Sequence, residues 1–430
     1  MGRIGRQRIK AGKAETLRVK FALPVAPINC YVRVRVLTVG HEIRVTRKAV
    51  MEEAKRNARQ ASGCYSDHLD SVICLRPFYS LELNMRGDVS ACCPAWSKGM
   101  IGNTNKKSLR EIWNDAPVRR MRQMMLEGRW ETICRPGCPH IMKYRMTGEK
   151  IALGAPSEHV ITEEILSAVR SRQTTLATGP TWINLANSTV CNLHCIMCGR
   201  DKVRGDSQLL QKEIAEVGDL LPGVRELFLT GNGDPFARSD TRDLMLNLDS
   251  SRYPDLRINL LTNGLLLPKY WDRIRHVNFG CLNISCDAAT GKTYEAIRLG
   301  GKWQDLLQTL ELIGGARERF SYRMLNMTVM KENYREIPAF VELASRYGFG
   351  VGINRIRGRW GEQNFFTAGD KRVLAELRQL IGEAQTRAKA LNVPFTSSFD
   401  DIMAGEVQPI GERVRQLAVD LMRAAYGRLR

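Results

Sequence analysis

What the 430-residue chain lacks narrows its identity first. No run of apolar residues approaches the roughly 20 needed to span a bilayer. The best candidate, Phe21 to Val39, is broken by Pro24, Pro27, Arg33 and Arg35. The basic N-terminus has neither a clean apolar segment nor a small-residue cleavage site, so it does not read as a secretory signal. The expected compartment is therefore a reducing cytoplasm. There, the twelve cysteines are expected to be metal ligands or buried thiols rather than disulfides. Acidic residues are also in short supply: 45 Asp plus Glu against 65 Lys plus Arg leave a net charge of +20. That deficit favours anionic partners such as nucleic acid, a phosphorylated metabolite, an acidic peptide or an anionic membrane face. A solvated basic arm accounts for part of it, since Arg3, Arg6, Arg8, Lys10 and Lys13 crowd the first twenty residues. The content of 43% hydrophobic and 26% charged residues describes a soluble globular protein, and its length allows two or three domains.

One further absence carries chemistry. Cys191, Cys195 and Cys198 form a C-x3-C-x2-C cluster within Ser188–Gly199. A loop this short can aim three thiolates at three corners of one iron–sulfur cube. A fourth cysteine at close spacing would complete an electron-transfer site, and none follows. One iron would be left open to bind something else. On the residues alone, a redox dithiol or a zinc site remains open. The cluster resembles that of the radical S-adenosylmethionine (SAM) enzymes, whose defining motif has this spacing. The resemblance implies a [4Fe–4S] cluster whose open iron chelates the amine and carboxylate of SAM. It also implies reductive cleavage of the sulfonium to methionine and a 5′-deoxyadenosyl radical, which abstracts hydrogen from a substrate. In the family the residue before the third cysteine is usually aromatic and lies near the adenine. Here it is Met197, whose polarizable thioether can replace that contact. His194 is expected to be a loop residue, because three thiolates complete the protein's share.

From Trp182 onward, short β-branched or apolar runs alternate with amphipathic stretches. Strands are expected at Trp182–Asn187, Glu226–Thr230, Arg257–Thr262, Leu282–Cys286, Leu325–Val329 and Val351–Arg355. Helices are expected at Gln208–Leu221, Thr241–Leu248, Pro268–Ile274, Thr290–Arg298, Trp303–Ile313 and Glu336–Tyr347. Such alternation specifies a parallel sheet. Six units make an α/β fold of the partial (β/α)6 TIM type, with its site at the carboxyl ends of the strands. The cysteine loop follows the first strand directly.

After the second strand comes Leu229-Thr-Gly-Asn-Gly-Asp-Pro-Phe236. Its glycines let the backbone approach a ligand closely, and an ordinary turn is the plain alternative. The segment looks like the family's Gly-Gly-Glu-Pro motif, which contacts the SAM amino group. That resemblance assigns SAM contacts to Gly231, Asn232, Gly233 and Asp234, with Asp234 in the glutamate position and Asn232 departing from the pattern. Thr262-Asn-Gly264 is a turn common in the family. The resemblance further assigns Ser285 to the SAM ribose and Arg298 to its carboxylate, with Asp287 as a further contact. The plain alternative makes Asp287 a helix cap and Arg298 a surface charge. By the same resemblance, Asn326 and Ile353–Arg355 occupy the family's remaining SAM-contacting strands. Cys281 and Cys286 fall on opposite faces by strand alternation and read as buried thiols.

A second constellation precedes the barrel: Cys74, Cys92, Cys93, Cys134 and Cys138. Leu81 to Cys93 reads as two short strands around a Gly-Asp turn. A segment with Leu109–Asn114 and a helix carrying Met121, Met125 and Leu126 leads to Cys134-Arg-Pro-Gly-Cys138. The pattern resembles the SPASM-type auxiliary-cluster domain of radical SAM peptide-modifying enzymes, through the Gly87-x4-Cys92 spacing and the closing C-x3-C. It implies one auxiliary [4Fe–4S] cluster on Cys74, Cys92, Cys134 and Cys138, with Cys93 able to take the place of Cys92. A four-cysteine structural zinc site is the alternative. The domain usually follows the barrel, whereas here it comes first. Trp96, Trp113 and Trp130 read as its packing residues.

The expected organisation is a basic extension (1–65), a small cysteine-rich α+β auxiliary-cluster domain (66–150), the partial barrel (178–360) and a C-terminal helical region (361–430). In the last, Ala368–Leu391 and Gly411–Leu429 look like amphipathic helices separated by Pro394 and Gly405–Pro409. The expected function is a radical SAM oxidoreductase or peptide-modifying enzyme, acting on a peptide or small anionic substrate. A reductant such as flavodoxin or ferredoxin is implied. The sequence nominates no catalytic acid or base. Two rivals stand beside this. One is an enzyme acting on a nucleotide-linked sugar or RNA, suggested by Arg355, Arg357 and Arg359, with nucleic acid the less favoured partner. The other is a noncatalytic iron–sulfur or electron-carrying protein.

Overall fold

The computed structural model describes residues 16–20, 31–35, 74–135, 138, 158–198, 207–229, 232–358, 360–368, 370–399 and 403. Within the basic extension, β1 (Thr16–Lys20) and β2 (Tyr31–Arg35) pair antiparallel, Thr16 opposite Arg35. Part of the expected solvated arm is thus a two-stranded ribbon. The other described strands form a single ten-stranded sheet.

Three of its strands come from the cysteine-rich segment: β3 (Ser80–Leu83), β4 (Asp88–Ser90) and β5 (Gly102–Asn103). Six follow in chain order: β6 (Trp182–Leu185), β7 (Glu226–Leu229), β8 (Arg257–Thr262), β9 (Phe279–Ser285), β10 (Tyr322–Val329) and β11 (Gly350–Arg355). All six are parallel to their neighbours and lie side by side in sequence order. This is the expected partial (β/α)6 arrangement. A short β12 (Phe395–Ser397), not expected from the sequence, adds in parallel to β11 after the 20-residue helix Lys371–Ala390. The expected C-terminal helix at 411–429 lies outside the described residues.

Side-chain alternation along β10 explains the layering. Leu325, Met327 and Val329 are fully buried, whereas Met324, Asn326 and Thr328 on the opposite face are half-buried. The buried face packs under crossover helices such as Trp303–Gly314 and Ile337–Arg346, which contribute Leu306, Leu310, Ile313, Phe340 and Val341. Each such side chain removed from water stabilises the fold by roughly 1.5–3 kcal/mol. The other face requires room. A Cβ at Gly352 would lie 2.5 Å from Asn326 Oδ1, and one at Gly350 would lie 2.5 Å from Met324 Sδ.

The cysteine-rich hairpin does not form a sheet of its own. β3 pairs parallel with β6, Glu82 opposite Asn184, and antiparallel with β4. Arg86 at φ 63° and Gly87 at φ 81° make the turn between β3 and β4. The auxiliary segment therefore extends the barrel sheet past its first strand. Among the described residues, no helix is long and apolar enough to cross a membrane.

Candidate active site

The cysteine loop runs from the carboxyl end of β6 and is held at several points. Ala186 N donates to Leu83 O (2.9 Å), Asp234 N to Val190 O (2.9 Å), His194 N to Leu299 O (3.0 Å) and Ile196 N to Ile297 O (2.9 Å). Cys198 N donates back to Cys195 O at 3.0 Å. Cys191 and Cys195 are half-buried and Cys198 is exposed. Cys191 Sγ accepts from Leu193 N (3.4 Å) and Asn263 Nδ2 (3.7 Å). Burial lifts the Cys195 thiol to about 11 against the pull of Arg298, whose Nη1 donates to its Sγ at 3.8 Å. Met197 is half-buried against the core, and His194 is exposed.

The Gly231–Pro235 segment sits directly against this loop. Gly231 lies outside the described residues. Gly233 packs so closely that a Cβ would fall 2.1 Å from Val190 O. Asn232 donates to Ala186 O at 2.9 Å. Asp234 is buried and turned into the protein. Its carboxylate accepts from Thr262 Oγ1 (2.6 Å), Asn263 N (2.8 Å) and Phe236 N (3.0 Å). Burial raises its pKa, and those three donors oppose the rise. The side chains of Asn232 and Asp234 thus tie the ends of β6, β7 and β8 together.

Ser285 is half-buried at the end of β9, and Asn326 lies beside it on β10 in register. Asn326 donates to Asn283 Oδ1 at 3.2 Å. The expected helix-cap alternative for Asp287 is not what forms, since Thr290 caps Gly291–Ile297. Asp287 instead adopts φ 64°, a left-handed conformation costing roughly 1–2 kcal/mol. It is over-determined by its partners: Oδ1 accepts from Thr328 N (2.6 Å), Oδ2 from Arg298 Nη2 (2.5 Å), and its carbonyl from Asn333 Nδ2 (2.8 Å). Arg298 is buried, not a surface charge. Burial would lower its pKa, but Asp287 and Cys195 together outweigh that and leave it raised. Its Nε is buried with no hydrogen-bond partner. An unpaired guanidinium donor beside a cysteine of the triplet fits an anionic group bound next to a cluster.

A buried polar network connects this site to the hairpin segment. Glu213, on the helix Ser207–Leu220, accepts from Thr104 Oγ1 (2.7 Å) and Asn187 Nδ2 (2.5 Å). Asn187 in turn accepts from Arg238 Nη1 (2.8 Å), which pairs with Asp240. Burial raises the Glu213 pKa. Sequence reasoning singled out none of these residues. Only an acidic residue on the inward stripe of an amphipathic helix, Glu213 beside Val217, could have signalled them.

In the auxiliary segment, Cys74, Cys92, Cys134 and Cys138 line one cavity. Arg76, Pro77, Trp96, Ser97, Met121, Met125 and Ile133 complete the wall. Cys93 does not line it; burial raises its pKa, and a backbone hydrogen bond from Ala95 opposes the rise. Burial pushes the Cys134 thiol up to about 12 and raises Cys74 and Cys92, with the neighbouring thiols adding to each. Among the described residues, no three His, Cys, Asp or Glu side chains converge as ligands of one metal ion would. A zinc ion needs every sulfur within about 2.3 Å of one point, whereas a four-iron cube takes each thiolate on a separate iron. Soft thiolates in an apolar cavity suit that group. Trp96 also carries the Arg357 guanidinium at 4.9 Å, which joins this segment to the loop after β11. Arg355 stacks on Phe366 and Phe399, and Arg359 lies outside the described residues. Trp113 stacks on Arg122, and Trp130 is buried, both as packing residues.

Both cysteine-bearing segments match known protein families. Residues 188–344 match the radical SAM superfamily, and residues 74–139 match the iron–sulfur cluster-binding SPASM domain. The chain is 30% identical over 233 residues to GTP 3′,8-cyclase of Synechocystis sp., covering 51% of this chain and 69% of that one. It is 26% identical over 170 residues to mycofactocin maturase MftC of Mycobacterium tuberculosis, covering 39% and 42%. It is 31% identical over 132 residues to a probable GTP 3′,8-cyclase of Archaeoglobus fulgidus, covering 30% and 43%. The chain therefore spans 42% to 69% of the length of these relatives. It is also similar to Streptococcus suis SuiB bound to S-adenosylmethionine, at a TM-score of 0.41 and 16% identity over 64% of this chain and 63% of that one. The protein is an iron–sulfur enzyme with a SPASM domain placed before its barrel. It belongs to the radical SAM superfamily, with [4Fe–4S] clusters and SAM as its cofactors.

Proposed function

We propose that this enzyme oxidises a peptide by radical hydrogen abstraction, and that an auxiliary cluster on Cys74, Cys92, Cys134 and Cys138 takes up the electron left on the substrate. The observation that carries this reading is the ligand count. Four thiols share the auxiliary cavity, so a cube there has no open iron and suits outer-sphere electron transfer. The triplet, one ligand short, is the place where a substrate-like molecule binds iron. When bound, SAM and that cluster supply the hydrogen-abstracting radical. The chain's residues then position and shield it. The unpaired Arg298 Nε would take the SAM carboxylate, Ser285 at the end of β9 and Asn326 beside it on β10 would serve the ribose, and Met197 offers a contact for the adenine. The turn at Asn232–Asp234 has its side chains engaged elsewhere, which leaves its backbone for the amino group. Similarity to mycofactocin maturase supports a peptide substrate. A net charge of +20 suits an acidic electron donor of the flavodoxin or ferredoxin type, in the cytoplasm.

The test is anaerobic reconstitution followed by SAM, dithionite and short peptides encoded beside the gene. The expected products are 5′-deoxyadenosine and a peptide lighter by two hydrogens for each SAM consumed. No 5′-deoxyadenosine above a Cys195→Ala control would refute the enzymatic reading. A nucleotide substrate is the second reading, favoured by exposed Arg357 after β11 and by the cyclase relatives. In that case Arg357→Glu raises KM for a nucleoside triphosphate in a salt-dependent way.

A further inference from the structure

Arg76 follows Cys74 by two residues and opens the short helix Arg76–Tyr79. Its side chain lines the cavity shared by the four auxiliary thiols. The guanidinium lies 4.4 Å from the Trp182 ring of β6 and 5.6 Å from the Tyr79 ring. Those two aromatic contacts hold it between the auxiliary cavity and the first barrel strand. Much of the remaining wall is apolar, from Pro77, Trp96, Met121, Met125 and Ile133. In such a wall a centre carried by four thiolates has little to offset its net negative charge. Arg76 supplies a cation there, on the same wall as Cys92 and Cys74. Burial raises the Glu82 pKa, and a hydrogen bond with Asn184 and the charge of Arg76 oppose the rise.

A second guanidinium supports the same charge balance. Arg122 is fully buried, and none of its hydrogen bonds goes to a carboxylate. It donates to Pro77 O (2.9 Å), Trp113 O (2.8 Å), Thr174 O (2.7 Å) and Asn114 Oδ1 (2.9 Å). It therefore pins the backbone next to Arg76. The segment thus holds one guanidinium on the wall of the thiol cavity and a second, fully buried, behind it.

We propose that Arg76 sets the reduction potential of the auxiliary cluster, its fixed charge favouring the one-electron reduced form and so making the centre an electron acceptor. The inference rests on reading these cysteines as an iron–sulfur site. A positive charge close to a cluster stabilises the added electron.

The test uses the full chain carrying Cys191→Ala, Cys195→Ala and Cys198→Ala, so that only the auxiliary site holds iron. Arg76→Met and Arg76→Lys are compared in this background by iron and sulfide content and by a redox titration followed by electron paramagnetic resonance. The expected result is about four irons in each protein. Arg76→Met should have a potential lowered by at least 59 mV, a tenfold change for one electron, with Arg76→Lys close to the parent. Loss of iron in Arg76→Met alone would also support the role, since the charge would then be needed to hold the cluster. Four irons with an unchanged potential in Arg76→Met overturns the proposal and leaves the cluster intact. So does iron loss in both variants, or an equal shift in both. A parent without iron would overturn the auxiliary-cluster reading itself.

Discussion

Gly233→Ala should damage the SAM-cluster loop while leaving the auxiliary site intact. Gly233 is not in the left-handed backbone region, so an alanine there carries no conformational strain. The cost is purely one of space. The added carbon would stand 2.1 Å from Val190 O, 2.8 Å from Val190 C and 2.9 Å from Thr189 C. All three are backbone atoms that no rotamer change can move. Restoring ordinary contact requires the loop to shift by roughly 1 Å. That shift breaks the Asp234 N to Val190 O bond of 2.9 Å, worth about 1 kcal/mol. The overpacking itself adds roughly 1–3 kcal/mol. Val190 directly precedes Cys191, so the displaced atoms are those that aim the triplet. A misplacement of this size costs on the order of 100-fold in activity. The assay is iron per chain after reconstitution, with a urea midpoint on the same samples. Iron should fall from about eight toward about four. Gly382→Ala is the control, because its added methyl meets nothing within 4 Å. Gly233→Ala with full iron and an unchanged midpoint would refute the steric argument.

Two other perturbations test different parts of the structure. Cys92→Ala should lose the auxiliary iron and Cys93→Ala should keep it, since only Cys92 lines the cavity; equal iron in the two variants contradicts the assignment. Glu213 gives a pH signature, because burial raises its folded-state pKa. Its contribution is fully present below the unfolded value of about 4.3 and is lost as pH rises through the higher folded value. Wild type should therefore lose stability relative to Glu213→Gln between mildly acidic and neutral pH. The amide also places a donor where Thr104 and Asn187 already donate, which adds a constant offset, so the pH trend is the diagnostic. Urea midpoints that differ by the same amount at every pH would rule out this role for Glu213.

The barrel was legible because its strands are long, apolar and regularly spaced. Arg257–Thr262 has the bounds expected from the sequence, and the helix expected at Gln208–Leu221 forms one residue earlier, at Ser207–Leu220. End shifts of that size reflect fraying rather than a different fold. β12 was not legible: three residues after Pro394 carry too little pattern, and only pairing with Val351–Ile353 makes them a strand. The parallel pairing of β3 with β6 was equally hidden, since about a hundred residues separate the partners. At the candidate site, sequence reasoning named loops that the fold brings together, but not the direction of each side chain. Asp234 satisfies Thr262 and Asn263, and Arg298 satisfies Asp287, through bonds that exist only once β7, β8, β9 and β10 are side by side. The choice between Cys92 and Cys93 was undecidable for the same reason, because two adjacent residues differ only in which way the chain turns them.

The placement of the SPASM segment before the barrel follows from sheet edges rather than chain order. An open barrel has two free edges, each presenting unpaired backbone groups. β12 covers the β11 edge, and β3 covers the β6 edge. The β6 edge is the one beside the cysteine triplet, because the triplet loop leaves the end of that strand. A segment that pairs with β6 therefore sits next to the SAM-cluster loop whether it is encoded before or after the barrel. Ala186 N to Leu83 O, at 2.9 Å, and the Thr104–Glu213–Asn187 chain fasten the two together at that point. The contact of Arg357 with Trp96 then brings the same segment to the loop after β11, the last of the six consecutive barrel strands. The auxiliary segment thus touches both sides of the barrel opening. An electron acceptor placed there would border the opening, within reach of a substrate at the strand ends.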